Sequence, residues 1–123
     1  NRKDLFDAVW NKDADKATKE ISTLLRMTIS YYDYRENFYH AVLVGIFAGG
    51  GYSVESNREH GEGRSDVIVY DSENGQLALF EVKYSSTLAQ IDEKMYAKEY
   101  EDEYEEVFCY GISFYRKRCM VVM

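Results

Sequence analysis

The sequence predicts an α/β (α+β) fold: a central mixed β-sheet of about five strands, flanked by helices and preceded by a helical lead-in. Three observations carry this reading. Apolar residues recur at helical spacing up to about residue 50 and at two-residue spacing immediately after it. The change falls on Gly49-Gly50-Gly51, a run that stops a helix. Beyond it come strand-like runs interrupted by one helical run, so the order is α-α-α-β-β-β-α-β-β. Such an order buries its apolar faces by packing helices on a sheet. The 123 residues suit one compact core, and 46% hydrophobic with 15% aromatic content excludes wholesale disorder.

Each element has its own signature. "DLFDAVWNKD" (4–13) and "DADKATKEISTLLRMT" (13–28) are short amphipathic helices, with stripes Leu5, Phe6, Val9, Trp10 and Ala17, Ile21, Leu24, Leu25. "DYRENFYHAVLVGIFAGG" (33–50) is a longer helix, opened by Asp33 as cap and Glu36 three residues later in a capping-box pattern. "YSVESNRE" (52–59), "RSDVIVYD" (64–71) and "QLALFEVKY" (76–84) alternate as strands, with "HGEG" (60–63) a loop and "SENG" (72–75) a turn. "STLAQIDEKMYAKEYEDEY" (86–104) is helical, with Leu88, Ile91 and Met95 on one side. "EVFCYGISFY" (106–115) and "CMVVM" (119–123) are two further strands. We read residues 1–30 as the lead-in and 31–123 as the domain proper, together one compact unit. The chain begins at Asn1 on a charged helical pattern, without a signal peptide, and is read as a piece of a longer polypeptide.

Charge and cysteines narrow the function classes. The net charge of −7 weighs against a free-standing nucleic-acid binder, since phosphate affinity comes mostly from Lys and Arg. Six of the 22 acidic residues crowd into "EYEDEYEE" (99–106), a solvated helix face. Basic groups remain at Arg58, Arg64, Lys94, Lys98 and the turn Arg116-Lys117-Arg118. Cys109 and Cys119 have no zinc-like spacing. With a hairpin turning at residues 115–118, Cys109 faces a position beyond the end of the chain, so the two are expected to be buried free thiols of a cytoplasmic protein. No apolar run approaches the ~20 residues of a membrane helix.

The chemistry concentrates in "GQLALFEVKYSS" (75–86). Leu77, Leu79, Glu81 and Lys83 share one strand face. A charge inside an otherwise buried strand is costly unless paired or liganded. A four-residue "SENG" loop sets Asp66 opposite Glu81, whereas a two-residue Asn74-Gly75 turn sets it opposite Lys83. Both loops have even length, so Asp66 shares the face of Glu81 and Lys83 either way. Two carboxylates at cross-strand distance repel unless a proton or a cation intervenes. Lys83 supplies part of that charge and a divalent metal supplies more. Glu36 lies on the stripe of Tyr39/His40, Leu43 and Ile46/Phe47, beside the buried face of its helix, with capping as a compatible second role. His40 is expected to be a packed, hydrogen-bonded core residue on its helix face and His60 a residue of the loop surface.

These residues resemble the PD-(D/E)xK nuclease superfamily: Glu36 in "YRENFYH", Asp66 in "GRSD", and Glu81 and Lys83 in "FEVK". The wider stretches "YRENFYHAVLVGIF", "SNREHGEGRSDVIVY" and "LALFEVKY" followed by "AQIDEKMYAKEY" look like a branch of domains found C-terminal to an AAA-type ATPase module. The resemblance covers roughly residues 30–115, and Ser65 stands where the motif has its proline. It implies a restriction-endonuclease-like core and hydrolysis of phosphodiester bonds, chiefly in DNA, with Mg²⁺ or Mn²⁺. Asp66, Glu81 and the Val82 backbone carbonyl are then the metal ligands, with Glu36 direct or through water. Lys83 positions the attacking water or, our preference, neutralises transition-state charge. Gln90, Arg64 and Glu59 are supporting residues, with a plain exposed helix glutamine as the alternative for Gln90. Arg64 and Glu59 have a structural alternative, pairing with each other or with tyrosine hydroxyls to hold the "REHGEGR" loop. The implied partners are nucleic acid, weakly bound by this chain alone, and a covalently attached N-terminal ATPase module, with no membrane. The competing reading is a catalytically silent interaction or regulatory module on the same fold, and a weaker one is a purely structural ion-pair network.

Overall fold

The computed structural model describes residues 2–28, 36–58, 64–84 and 106–123. Three helices come first: α1 (Arg2–Trp10), α2 (Ala14–Thr28) and α3 (Glu36–Gly49). Five strands follow: β1 (Ser53–Arg58), β2 (Arg64–Asp71), β3 (Gln76–Tyr84), β4 (Glu106–Tyr115) and β5 (Arg118–Val122). The expected bounds of β2, β3 and β4 are met, and β5 starts and ends one residue earlier than expected. The helix expected over 86–104 and the Asp33 cap lie outside the described residues.

The strands form one sheet in sequence order, β1-β2-β3-β4-β5. β3 and β4 run parallel and every other pair antiparallel, which makes the sheet mixed, as expected. Strand alternation divides its side chains between two faces. On the first, Val67, Val69, Ala78, Phe80, Val82, Tyr110 and Ile112 join Leu5, Val9, Ile21, Leu25, Leu43 and Phe47 of the helices in the main core. On the second, Ile68, Leu77 and Leu79 form a smaller cluster with Tyr70 and Val107. All three helices therefore pack on the first face.

Specific polar contacts lock the helices to the sheet. The Tyr110 hydroxyl donates to the Val9 carbonyl. Trp10 Nε1 donates to the Tyr52 hydroxyl at 3.1 Å. α2 lies along the free edge of β5, where the Val121 N–H donates to Thr18 Oγ1 at 2.9 Å and the Cys119 N–H to Ser22 Oγ at 3.3 Å. Two hydroxyls thus satisfy edge groups that would otherwise template aggregation. Both cysteines are free, as expected, but only Cys119 is buried and Cys109 is half-buried. Burial pushes the Cys119 thiol up to about 11, against the opposing hydrogen bond of Ser22, so it is inert at neutral pH.

α3 stops as its glycines predict. The Tyr52 N–H reaches the Phe47 carbonyl and the Gly51 N–H the Ala48 carbonyl, the paired bonds of a Schellman cap, with Gly51 at φ 92°. A Cβ on Gly50 would sit 2.3 Å from the Phe6 ring, so only glycine lets α1 close on this turn. The chain then doubles back, and β1 runs antiparallel to the axis of α3. Among the described residues, no helix is long and apolar enough to cross a membrane.

Candidate active site

The site begins with a turn. Asp71 pairs with Gln76 across residues 72–75, so the four-residue loop is the one adopted. Gly75 takes φ 65°, a left-handed conformation that glycine accepts without strain. Asp71 Oδ2 accepts hydrogen bonds from Asn74 Nδ2 and Gln76 Nε2, both at 2.9 Å. Burial pushes the Asp71 carboxyl up, but these bonds and one from the Asn74 backbone outweigh it and hold the carboxyl below its ordinary range. The turn is thereby fixed, and with it the register of everything along the hairpin.

That register sets Asp66 directly opposite Glu81, and Arg64 opposite Lys83. Of the two arrangements left open by the sequence, the carboxylate pair is realised. Asp66, Glu81 and Lys83 fall on the second face, away from the three helices, because Val67, Phe80 and Val82 between them point into the main core. Cβ atoms of directly opposed residues are about 5 Å apart, and residues two apart on a strand about 7 Å. Glu81 is 3% exposed, whereas Asp66 and Lys83 are half-buried. Glu81 makes contacts within the fold, and its Oε2 is a buried oxygen that accepts no hydrogen bond from the described residues.

Two rows cross the sheet here. One runs Asn57, Asp66, Glu81, Gly111, Val122, and the next runs Arg64, Lys83, Ser113, Met120. Gly111 and the buried Ser113 are additions that sequence reasoning missed. Their place depends on the parallel β3–β4 register, which no local turn encodes. The signal was present in hindsight: "CYGISFY" puts its two smallest residues, two apart, on the face opposite Tyr110 and Ile112.

The other expected residues divide. The Tyr39 hydroxyl donates to the Arg116 carbonyl at 2.8 Å, and its ring stacks on Phe114 at 4.9 Å. α3 therefore starts at the same end of the sheet as Lys83 and Ser113, and Glu36 opens it one turn before Tyr39. The helix packs on the first face, however, while the carboxylate pair lies on the second. The side chains of Glu36 and Arg64, and all of Glu59 and Gln90, lie outside the described residues. So does His60, and His40 makes contacts in the fold but is half-buried rather than a core residue.

The donor set suits a hard divalent cation. The carboxylates of Asp66 and Glu81 and the backbone carbonyl of Val82 offer oxygen donors only. Among the described residues, no group of three or more His, Cys, Asp and Glu side chains is close enough to enclose a metal. The described part thus offers two side chains that could hold such a cation, fewer than a cage made by protein alone would need.

A family model described as the PD-(D/E)XK nuclease superfamily matches residues 34–123, about three quarters of the chain. The match contains α3 and all five strands, hence the whole carboxylate hairpin. Comparison with curated proteins gives no match. Comparison with solved structures gives none either.

Proposed function

Because the chain belongs to the PD-(D/E)XK nuclease superfamily, we propose that it is a metal-dependent nuclease domain that hydrolyses phosphodiester bonds in DNA. The observation that carries the reading is the opposition of Asp66 and Glu81, with Lys83 two residues further along the same face. Asp66, Glu81 and the Val82 carbonyl would hold Mg²⁺ or Mn²⁺, with Glu36 as a further ligand. Bound there, the cation supplies Lewis-acid polarisation of the phosphoryl group and a lowered pKa for the attacking water.

The chain's own residues do the rest. The two carboxylates orient the water toward phosphorus. The water oxygen bonds to phosphorus and gives up a proton to solvent, the bond from phosphorus to the leaving sugar oxygen breaks, and that oxygen takes up a proton from solvent. Lys83 holds a positive charge beside the phosphoryl oxygens as negative charge develops on them. In this reading Lys83 acts as an electrostatic clamp rather than as a base. Gln90, Arg64 and Glu59 are the supporting residues that the resemblance implies. The stretches that resemble the ATPase-linked branch support an attached N-terminal ATPase module as the natural context of this activity.

The test is cleavage of single-stranded, duplex and branched DNA and of RNA in Mg²⁺ or Mn²⁺, with and without Lys83→Ala. We expect metal-dependent cleavage of DNA that falls at least about a hundredfold in the variant. Cleavage that survives Lys83→Ala unchanged comes from elsewhere and defeats the reading. The net charge of −7 favours one alternative, a catalytically silent module serving the ATPase. That reading wins if the chain neither binds a divalent cation nor cuts any of the four substrates.

A further inference from the structure

The turn between β4 and β5 is basic, and its chemistry is unexplained by the hairpin alone. Tyr115 pairs with Arg118, leaving Arg116 and Lys117 as a two-residue loop. Such loops favour Asn and Gly, because the left-handed backbone they need is costly for other residues. Here Arg116 takes the strained position, at φ 53°. The conformation is held from outside by the Tyr39 hydroxyl on the Arg116 carbonyl. A strained residue kept in place by its surroundings points to a use for its side chain.

The side chains are pre-organised as well. The Arg116 guanidinium lies 5.3 Å from the Tyr115 ring centre and that of Arg118 5.8 Å, so one aromatic ring carries two cations. Arg116 and Arg118 are exposed, and among the described residues no carboxylate forms an ion pair with either. In a chain of net charge −7, three consecutive basic residues are a local exception.

Register gives their place relative to the carboxylates. Phe114 and Cys119 belong to the main core, so Tyr115 and Arg118 fall on the second face, with Asp66, Glu81 and Lys83. Arg118 is two strands across from Lys83 and two residues further along, about 12 Å away, and about 16 Å from Glu81. A nucleic-acid strand crossing the sheet from the carboxylate pair to this turn spans about five nucleotides at 3.4 Å each.

We propose that the Arg116-Lys117-Arg118 turn is the phosphate clamp of the substrate strand, gripping its backbone a few nucleotides from the bond cut at Asp66 and Glu81. The proposal rests on the nuclease reading above and adds to it the residues that let an acidic chain hold a polyanion. Arg116 and Arg118 contact phosphate oxygens and Tyr115 keeps their guanidinium planes fixed. These contacts are indifferent to base sequence, because they go to the backbone alone.

The experiment measures binding of a fluorescein-labelled single-stranded 20-nucleotide DNA by anisotropy, in Ca²⁺, from 50 to 300 mM KCl. The unmodified chain is compared with Arg116→Gln/Arg118→Gln, and cleavage in Mg²⁺ is followed in parallel with Lys83→Ala. Two lost phosphate contacts lower the slope of log affinity against log salt by about 1.4 and weaken binding about tenfold at 50 mM. The melting temperature, read alongside, confirms folding. If the double variant unfolds, Arg118→Gln alone, at an exposed strand position, should lower the slope by about 0.7. Unchanged affinity and slope, with Lys83-dependent cleavage intact, overturn the clamp and leave the nuclease reading standing. A chain that neither binds nor cuts the DNA overturns both.

Discussion

Asp66→Asn separates the electrostatic parts of the site. At an effective dielectric near 20, two unit charges about 5 Å apart repel by about 3 kcal/mol. Lys83 is diagonal to Asp66 in the register, about 8 Å away, and attracts it by about 2 kcal/mol on the same scale. Removing the Asp66 charge while keeping its shape therefore leaves a net gain of about 1 kcal/mol without metal. Unfolding entropy of about 2.1 cal/mol/K per residue makes 1 kcal/mol worth about 4 °C in a chain of 123 residues. With EDTA, the variant should melt about 4 °C above the unmodified chain. Metal reverses the order. A site with a dissociation constant near 1 mM gains about 1.4 kcal/mol at 10 mM Mg²⁺, or about 5 °C, and Asp66→Asn should gain almost none. Differential scanning calorimetry across a Mg²⁺ and Mn²⁺ titration reads both shifts. A variant that melts lower in EDTA, with metal shifting neither protein, refutes the metal site and identifies the three charges as a structural ion-pair network.

Two further outcomes test the frame around the site. Thr18→Val removes the acceptor of the Val121 N–H on the β5 edge, so it should cost about 1–2 kcal/mol in urea unfolding and Thr18→Ser should restore it. An unchanged midpoint would mean that water replaces the hydroxyl. Asp71 stabilises the fold above the ordinary carboxylate range, because its folded carboxyl sits below that range, and this stability is lost as pH falls through the folded value. Asp71→Asn should lower stability at pH 7 by about 1 kcal/mol and flatten the acid side of the stability profile below about pH 4. An acid limb of unchanged slope in the variant would show that the turn does not depend on this charge.

What the sequence made legible is what local chemistry encodes. The β2–β3 hairpin is bounded by a turn of even length in either reading, and the pleat has period two. The face shared by Asp66, Glu81 and Lys83 therefore followed before the register was known, and the structure had only to choose the partner. The α3 stop was equally legible, because a glycine run writes its conformation into the chain. Non-local pairings were not. Gly111 and Ser113 enter the site through a parallel pair whose connection spans residues 85–105, and no turn type sets that register. Thr18 and Ser22 beside the apolar stripe of α2 gave no sign of clipping β5. Yet their spacing fits: four helical residues rise about 6 Å and two strand residues about 6.6 Å, so two hydroxyls one turn apart meet two N–H groups of one edge. The same division runs through the proposed function. The carboxylates depend on one hairpin and stay together while its turn holds. Among the described residues, β4 and the Tyr39 bond from α3 tie the basic turn to them, so disturbing α3 should loosen substrate binding before it disturbs the carboxylate pair.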